Sequence, residues 1–87
     1  MDGQRSEVHG SVVTIGRSEG NHLALSLDNT ISTRHARIVR EDDHYWLEDL
    51  GSRNGTFLGD ERIEGRTLIG PGTLFAVGRT RLEFSPR

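Results

Sequence analysis

A chain of 87 residues has room for one domain with a thin core, so a deep catalytic cleft would compete with that core for apolar side chains. The net charge of −2 argues against nucleic acid or an anionic membrane as the partner. Cysteine is absent and no stretch resembles a signal peptide or a spanning helix. These features predict a cytoplasmic protein without a disulfide framework, a bound metal or a cofactor.

Short alternating apolar runs, each closed by turn residues, follow one another along the chain after residue 10. Val13 and Ile15 share one face of a first clear strand. Three leucines alternate in the next run, at positions 23, 25 and 27. The later runs contain Ala36 and Ile38, Tyr45 and Leu47, Thr56 to Leu58, Ile63 and Leu68, Phe75 and Val77, and finally Leu82 and Phe84.

This succession of strands predicts an all-β fold, an antiparallel β-sandwich of two twisted sheets. Residues 1–10 carry little apolar pattern, so they form a weak first strand at most, and the domain proper comprises residues 11–87. The predicted core consists of Val13, Ile15, Leu25, Ile38, Leu47, Phe75, Val77, Leu82 and Phe84.

Polar side chains concentrate in three separate segments, residues 14–17, 31–36 and 49–56. If these segments are loops at one end of the sandwich, their guanidinium, hydroxyl and carboxamide groups converge. Such a set suits a phosphate dianion, which accepts charge-assisted hydrogen bonds from arginine and further bonds from hydroxyl and backbone N–H groups. All eleven cationic residues are arginine, the better residue for bidentate phosphate binding, although biased codon usage explains the same composition.

The three segments, taken in order and spacing, resemble the signature of the forkhead-associated (FHA) domain over residues 12–85. The matching residues are Gly16-Arg17, then Ser32 and His35, then Ser52 and Asn54-Gly55-Thr56. The resemblance implies a module that binds phosphothreonine-containing peptide segments of a partner protein and catalyses nothing. It further implies that the partner is a substrate of a Ser/Thr kinase and that the isolated domain is monomeric. A structural or oligomerising sandwich that binds without phosphate is the alternative.

The resemblance also implies roles for single residues. Arg17, Ser32 and Thr33 would bind the phosphate, and Asn54 would hold the main chain of the peptide. Support for the site would come from Gly16, His35 and Gly55, and the Asn-Gly pair predicts a positive φ at Gly55.

Two positions depart from the family pattern. Arg53 stands where threonine is frequent, so it either adds a cation to the pocket or extends into solvent. Thr30 stands where a cation would read an acidic residue of the partner, so the resemblance predicts no simple acidic preference there.

Several of these residues have a plainer interpretation. Arg17 and Arg34 could be solvated or ion-paired surface residues. The Ser32 hydroxyl could bond its own turn, and Asn54 could serve only the hairpin turn. Trp46 alternates against its neighbours and is expected to pack rather than to bind.

A catalytic interpretation would assemble Ser32, His35 and Asp49 as a triad. No nucleophile elbow surrounds this serine, and a short chain offers little for a substrate cleft. The four histidines, at positions 9, 22, 35 and 44, share no metal-ligand spacing. Neither an enzyme nor a metal site is therefore expected.

Overall fold

Most alternating runs of the sequence are strands in the computed structural model, which describes residues 11–85. The weak first strand expected within residues 1–10 lies outside the described part. Residues 11–85 contain no helix that could cross a membrane. The strands are β1 (Val12–Gly16), β2 (Leu23–Ala24), β3 (Ala36–Glu41), β4 (His44–Asp49), β5 (Thr56–Leu58), β6 (Glu61–Arg62), β7 (Arg66–Ile69), β8 (Leu74–Val77) and β9 (Thr80–Glu83).

The strands form two sheets, of order β2-β1-β3-β4-β7 and β6-β5-β8-β9, which confirms the predicted two-sheet all-β sandwich. Paired strands are antiparallel except for β1 and β2, which pair in parallel with Ile15 opposite Leu23. This pair departs from the antiparallel prediction because the loop of residues 17–22 folds back beside the end of β1. The Asn21 N–H closes that loop by donating to the Ser18 carbonyl (3.2 Å).

The core lies between the sheets, where the inward faces of both meet. Successive side chains of a strand point to opposite faces, so only every second residue of each run enters it. All nine predicted core residues are buried, which confirms the assignment from alternation. The predicted core did not include Ile31, Ile63 and Ile69, which are buried as well.

The second apolar run is shorter than predicted. β2 ends at Ala24, and Leu27 is fully exposed rather than inward-facing. The Leu25 N–H still donates to the Gly16 carbonyl (2.8 Å), but the Asp28 N–H then donates back to the Leu25 carbonyl (3.4 Å). This turn takes the backbone away from β1. Leu27 is therefore not part of a strand, and its side chain does not reach the core.

The strand register brings four connections to one end of the sandwich. Ile15 pairs with Ala36, and Ala36 pairs with Asp49, so the end of β1, the start of β3 and the end of β4 lie together. In the second sheet, Thr56 pairs with Val77 at the start of β5 and the end of β8. We call this end the loop end; it comprises residues 17–22, 25–35, 50–55 and 78–79.

Candidate functional site

Backbone hydrogen bonds hold the first two polar segments against each other. The Arg17 N–H donates to the Ser32 carbonyl (3.0 Å), and the Ser18 N–H donates to the Thr33 carbonyl (3.4 Å). The Arg17 side chain is exposed, and it forms no ion pair with another described residue. The structure therefore brings the backbones of Arg17 and Ser32, the two residues expected to bind phosphate, to adjacent positions.

The Ser32 hydroxyl links the second polar segment to the third. Its Oγ accepts a hydrogen bond from the Arg53 N–H (3.0 Å), from a residue 21 positions later. Among the described residues, the hydroxyl is thus engaged by a distant loop and not by its own turn. Since Oγ acts as an acceptor in this bond, the hydroxyl hydrogen remains available to an anionic acceptor. The same bond places the backbone of Arg53 beside Ser32, while the Arg53 side chain is exposed.

His35 supports both loops from within. Its side chain is completely buried, and its Nδ1 accepts a hydrogen bond from the Ser32 N–H (3.1 Å). With Nδ1 as acceptor, the hydrogen lies on Nε2, which donates to the Gly55 carbonyl (2.8 Å). Both ring nitrogens are therefore occupied by backbone, and neither serves as a base for the Ser32 hydroxyl. This arrangement agrees with the supporting role expected of His35 and differs from a catalytic triad.

Asp49 organises the β4–β5 loop instead of orienting His35. Its Oδ1 accepts from the hydroxyls of Ser52 (2.5 Å) and Thr56 (2.8 Å), and its Oδ2 accepts from the Gly51 and Ser52 N–H groups (3.0 Å each). Although burial alone would raise it, these hydrogen bonds hold the pKa of Asp49 below its usual range. The ionised carboxylate thus fixes the loop that carries Arg53.

Asn54 and Gly55 form the tip of this loop. The Asn54 Nδ2 donates to the Thr30 carbonyl (2.7 Å), while the side chain remains exposed to solvent. Gly55 has a φ of 90°, which confirms the positive value predicted from the Asn-Gly pair. A Cβ atom there would also lie 2.7 Å from Arg62 Nε. Arg62 reaches this position because it pairs with Phe57 across the β5–β6 hairpin, a contact the sequence pattern did not reveal.

Gly16 and Asn21 close the β1–β2 loop tightly. A Cβ atom at Gly16 would overlap the Thr33 carbonyl oxygen and lie 2.6 Å from Asn21 Nδ2. The buried Asn21 amide donates to the carbonyls of Ser18 (2.9 Å) and Thr33 (2.7 Å). Gly16 is therefore required by close approach, as its supporting role implies. The sequence analysis did not identify Asn21, because this residue belongs to no recognisable motif and only lies between Arg17 and an apolar run.

Thr33 and Arg34 follow Ser32 at the surface. The Thr33 carbonyl is used by the β1–β2 loop, while its side chain is exposed. Arg34 is exposed and lies before β3 rather than within it, and no carboxylate of the described residues pairs with it. Both side chains are exposed, and both residues directly follow Ser32 in the chain.

A fourth connection, the β8–β9 turn, reaches the same end through Asp28. The Asp28 carboxylate accepts from the Arg79 N–H (3.0 Å), the Thr80 hydroxyl (2.7 Å) and both the N–H and hydroxyl of Thr30. Burial alone would raise the pKa of Asp28, but these hydrogen bonds hold that pKa well below its usual range. Asp28 thus remains ionised and ties the second sheet to the loops of the first. The three polar segments gave no indication of this contact.

The loop end therefore presents four exposed arginine side chains on a framework of loops that bond one another. They belong to Arg17, Arg34, Arg53 and Arg79, and the same loops carry the Ser32 and Thr33 hydroxyls. Charge-assisted hydrogen bonds from arginine, added to hydroxyl donors, suit an oxyanion with several acceptor atoms. A depression of about 680 Å³ lies elsewhere, on the outer face of β5, β8 and β9.

Comparison with known proteins agrees with this geometry. The sequence model of the FHA domain matches residues 13–78. The chain is 35% identical over 86 residues to the FHA domain-containing protein FhaB of Mycobacterium tuberculosis, covering 99% of this chain and 55% of that protein. It is 30% identical over 82 residues to the glycogen accumulation regulator GarA of the same organism, covering 94% and 49%. The chain thus spans about half the length of these relatives.

Among solved structures, EmbR of Mycobacterium tuberculosis in complex with a low affinity phosphopeptide superimposes with a TM-score of 0.83. The sequences are 27% identical, and the match covers 90% of this chain and 20% of EmbR. The family model, the relatives and the solved structure each match most of the chain. The chain belongs to the forkhead-associated (FHA) domain family.

Proposed function

We propose that residues 11–87 form a phosphothreonine-dependent interaction module that binds phosphorylated peptide segments of partner proteins and catalyses no reaction. In this proposal the ligand is held by contact with the loop end, as an extended segment. The proposed partner is a protein phosphorylated by a Ser/Thr kinase, the proposed setting is the cytoplasm, and the module works as a monomer.

The observation that carries the proposal is the arrangement around Ser32. Its hydroxyl accepts from the Arg53 N–H (3.0 Å), which leaves its hydrogen to donate, and the Arg17 backbone is bonded to the same residue (3.0 Å). A phosphothreonine dianion carries close to two charges and three acceptor oxygens at neutral pH. Arg17, Ser32 and Thr33 would bind those oxygens, with Arg53 as an additional cation.

The neighbouring Asn54 supports binding of the peptide main chain. One amide hydrogen is used on the Thr30 carbonyl, and its exposed side chain still offers the carbonyl oxygen and the second amide hydrogen. A carboxamide presents a donor and an acceptor together, as a peptide unit requires. Asn54 would thus fix the direction and register of the segment, while the phosphate supplies most of the attraction.

The comparisons support the phosphate requirement, because EmbR, a structural relative over most of this chain, is solved with a phosphopeptide. Preference for threonine over serine would come from burial of the threonine methyl group, a contribution of about 1 kcal/mol. On this basis we expect a phosphothreonine peptide to bind about fivefold more tightly than the matching phosphoserine peptide.

Fluorescence anisotropy with one labelled peptide in three forms tests the proposal. The phosphothreonine form should bind, the phosphoserine form should bind more weakly, and the unmodified form should not bind measurably. Binding should also weaken below about pH 6, where the phosphate dianion takes up one proton and becomes a monoanion. The same comparison can be extended to an oriented peptide library. Equal affinity for the phosphorylated and unmodified peptides across that library would contradict the proposal and favour a phosphate-independent sandwich.

A further inference from the structure

Asn54 and Gly55 form a pair with a chemistry of its own, separate from peptide binding. The asparagine side chain is exposed at the tip of the β4–β5 loop, and the next residue has no side chain to shield its backbone nitrogen. That nitrogen can attack the side-chain carbon Cγ of Asn54. An N–Cγ bond forms, the Cγ–Nδ2 bond breaks, and ammonia leaves with the hydrogen of the attacking nitrogen. Water then opens the resulting succinimide ring to aspartate or isoaspartate, so no other reactant is required.

The folded loop restrains both reacting groups. The Gly55 N–H donates to the Ser52 Oγ (2.9 Å), and Gly55 is buried, so this hydrogen points into the loop and not to water. The leaving nitrogen, Asn54 Nδ2, donates to the Thr30 carbonyl (2.7 Å). Attack requires the Gly55 nitrogen to lose its hydrogen, and departure of ammonia requires Nδ2 to leave its acceptor. The tip must therefore open locally before the ring can form.

A buried serine connects this restraint to the interior of the loop. Ser52 is 6% exposed, and its hydroxyl donates to Asp49 Oδ1 (2.5 Å) while its Oγ accepts from the Gly55 N–H. Opening of the tip breaks the bond from Gly55 to Ser52 and the bond from Asn54 to Thr30 together. Two hydrogen bonds correspond to a rate of ring formation about thirtyfold lower than in the unfolded chain.

Either product would disturb the proposed binding site. A carboxylate at position 54 has no hydrogen to donate to the Thr30 carbonyl, which accepts from Nδ2 in the intact protein. The carboxylate also adds a negative charge next to Arg53, at the end of the sandwich proposed to bind a phosphate dianion. Isoaspartate in addition lengthens the backbone at a tip where Gly55 has a φ of 90°.

We propose that Asn54 is a latent deamidation site and that its conversion irreversibly silences the module. Opening of the β4–β5 loop limits the conversion, through the hydrogen bond from Gly55 to Ser52. The silencing rests on the proposed phosphothreonine function, whereas the conversion itself does not.

The first test follows conversion by peptide mass mapping during incubation in mildly alkaline buffer. Wild-type protein should gain the mass of an amide-to-carboxyl change at Asn54 and not at Asn29, an exposed asparagine that precedes a threonine. In urea, where the loop is unfolded, the conversion of Asn54 should be about thirtyfold faster. No conversion of Asn54 in urea would remove the site, and equal rates in the folded and unfolded protein would refute the restraint by the loop.

Two variants of the loop identify the restraining bond. Ser52→Ala removes the acceptor of the Gly55 N–H and should speed conversion about fivefold or more. Thr56→Val, the matched control, removes another hydroxyl that donates to Asp49 Oδ1 but keeps the bond from Gly55 to Ser52, so its rate should equal that of wild type. Equal rates for Ser52→Ala and wild type would refute the role of Ser52. The comparison of native and urea-unfolded wild type does not depend on either variant being folded.

The second test measures silencing with Asn54→Asp, which has the carboxylate of the aspartate product. Its affinity for a phosphothreonine peptide should fall about tenfold or more, because it loses a hydrogen bond and gains a repulsive charge. Asn29→Asp makes the same change of charge at the loop end and should bind as wild type does. Wild-type affinity in Asn54→Asp would refute silencing alone. Failure of wild-type protein to distinguish phosphorylated from unmodified peptide would instead refute the proposed function, and the conversion rates would still decide whether Asn54 is a deamidation site.

Discussion

The arginines on the outer face of the five-stranded sheet form ion pairs, whereas those at the loop end do not pair with a carboxylate of the described residues. On the sheet face, Arg37 pairs with Glu48 (2.6 Å), and Arg66 pairs with both Glu41 (2.9 Å) and Glu48 (2.8 Å). The Arg66 guanidinium also lies 5.3 Å from the centre of the Trp46 ring, which accords with a packing role for that tryptophan. At the loop end, Arg17, Arg34 and Arg53 have no carboxylate partner within the described part of the chain.

The difference shows how one residue type serves two purposes in a small domain. A guanidinium whose donors already bond a carboxylate has little left for a ligand, and its partner cancels its charge. At the loop end the carboxylates of Asp28 and Asp49 bond hydroxyl and backbone N–H groups, so they stiffen the loops without neutralising the nearby guanidinium groups. The register of the paired strands decides which arginine lies within ion-pair distance of which carboxylate.

The comparison predicts its largest effect for Arg17→Ala, which should lower phosphopeptide affinity a hundredfold or more and leave the fold intact. A charge-assisted hydrogen bond contributes about 1.5–3 kcal/mol, and a bidentate arginine lies at or above the upper end. Arg17→Lys should recover only part of the affinity, because a point charge lacks the planar fork. Calorimetry with one phosphothreonine peptide measures both, and Arg37→Ala, from the paired set, is the control that should bind normally.

Gly55→Val should reduce stability and binding together. Valine at a φ of 90° is strained, and its Cβ would lie 2.7 Å from Arg62 Nε. Strain of this kind costs about 1–3 kcal/mol, which corresponds to a fall in melting temperature of at least about 4 °C for a domain of this size. Thermal unfolding and peptide titration of the same preparation measure both effects. Gly59→Val, also at a positive φ but with no atom near its Cβ, should lose stability without losing affinity; an unchanged melting temperature for Gly55→Val would count against this account.

Ser32→Ala should weaken phosphopeptide binding about tenfold, less than Arg17→Ala, because it removes one neutral donor to a charged acceptor. The Arg53 N–H that loses its acceptor is at the surface and can bond water, so little stability should be lost. Ser11→Ala, at an exposed serine before β1 and outside the loop end, controls for loss of a hydroxyl. Equal affinities of Ser32→Ala and wild type would remove Ser32 from the site.

The smallest effect concerns acid stability. The pKa of Asp49 is lowered in the folded protein, so its stabilising contribution is complete above about pH 4, the unfolded value, and is lost as the pH falls through the folded value. Asp49→Asn should cost about 1 kcal/mol at pH 7 and flatten the decline below pH 4. Glu48→Gln, on the sheet face, should cost less at pH 7. Urea unfolding of both variants from pH 7 to pH 2 measures the two losses of stability. A larger loss for Glu48→Gln than for Asp49→Asn would contradict the prediction.

Local sequence signals predicted the core and the hairpin glycine, because alternation and an Asn-Gly pair act over a few residues. They failed at Leu27, where alternation continues after the strand has turned away. They also missed Asn21 and Arg79, whose hydrogen bonds to Thr33 and Thr30 cross 12 and 49 positions of the sequence. Such contacts depend on sheet order and register, which no short segment encodes. The family resemblance supplied Arg17, Ser32 and Asn54 because those residues lie within recurring motifs.

The most direct test of the central claim is an amide chemical-shift titration with a phosphothreonine peptide and its unmodified counterpart. The phosphorylated peptide should shift the amide resonances of Arg17, Ser32, Thr33, Arg53 and Asn54 at the loop end, and the unmodified peptide should leave them in place. The amides of Arg37, Trp46 and Arg66 on the outer sheet face should not move with either. Shifts confined to a sheet face, or equal for the two peptides, would contradict the claim that the loop end reads phosphate.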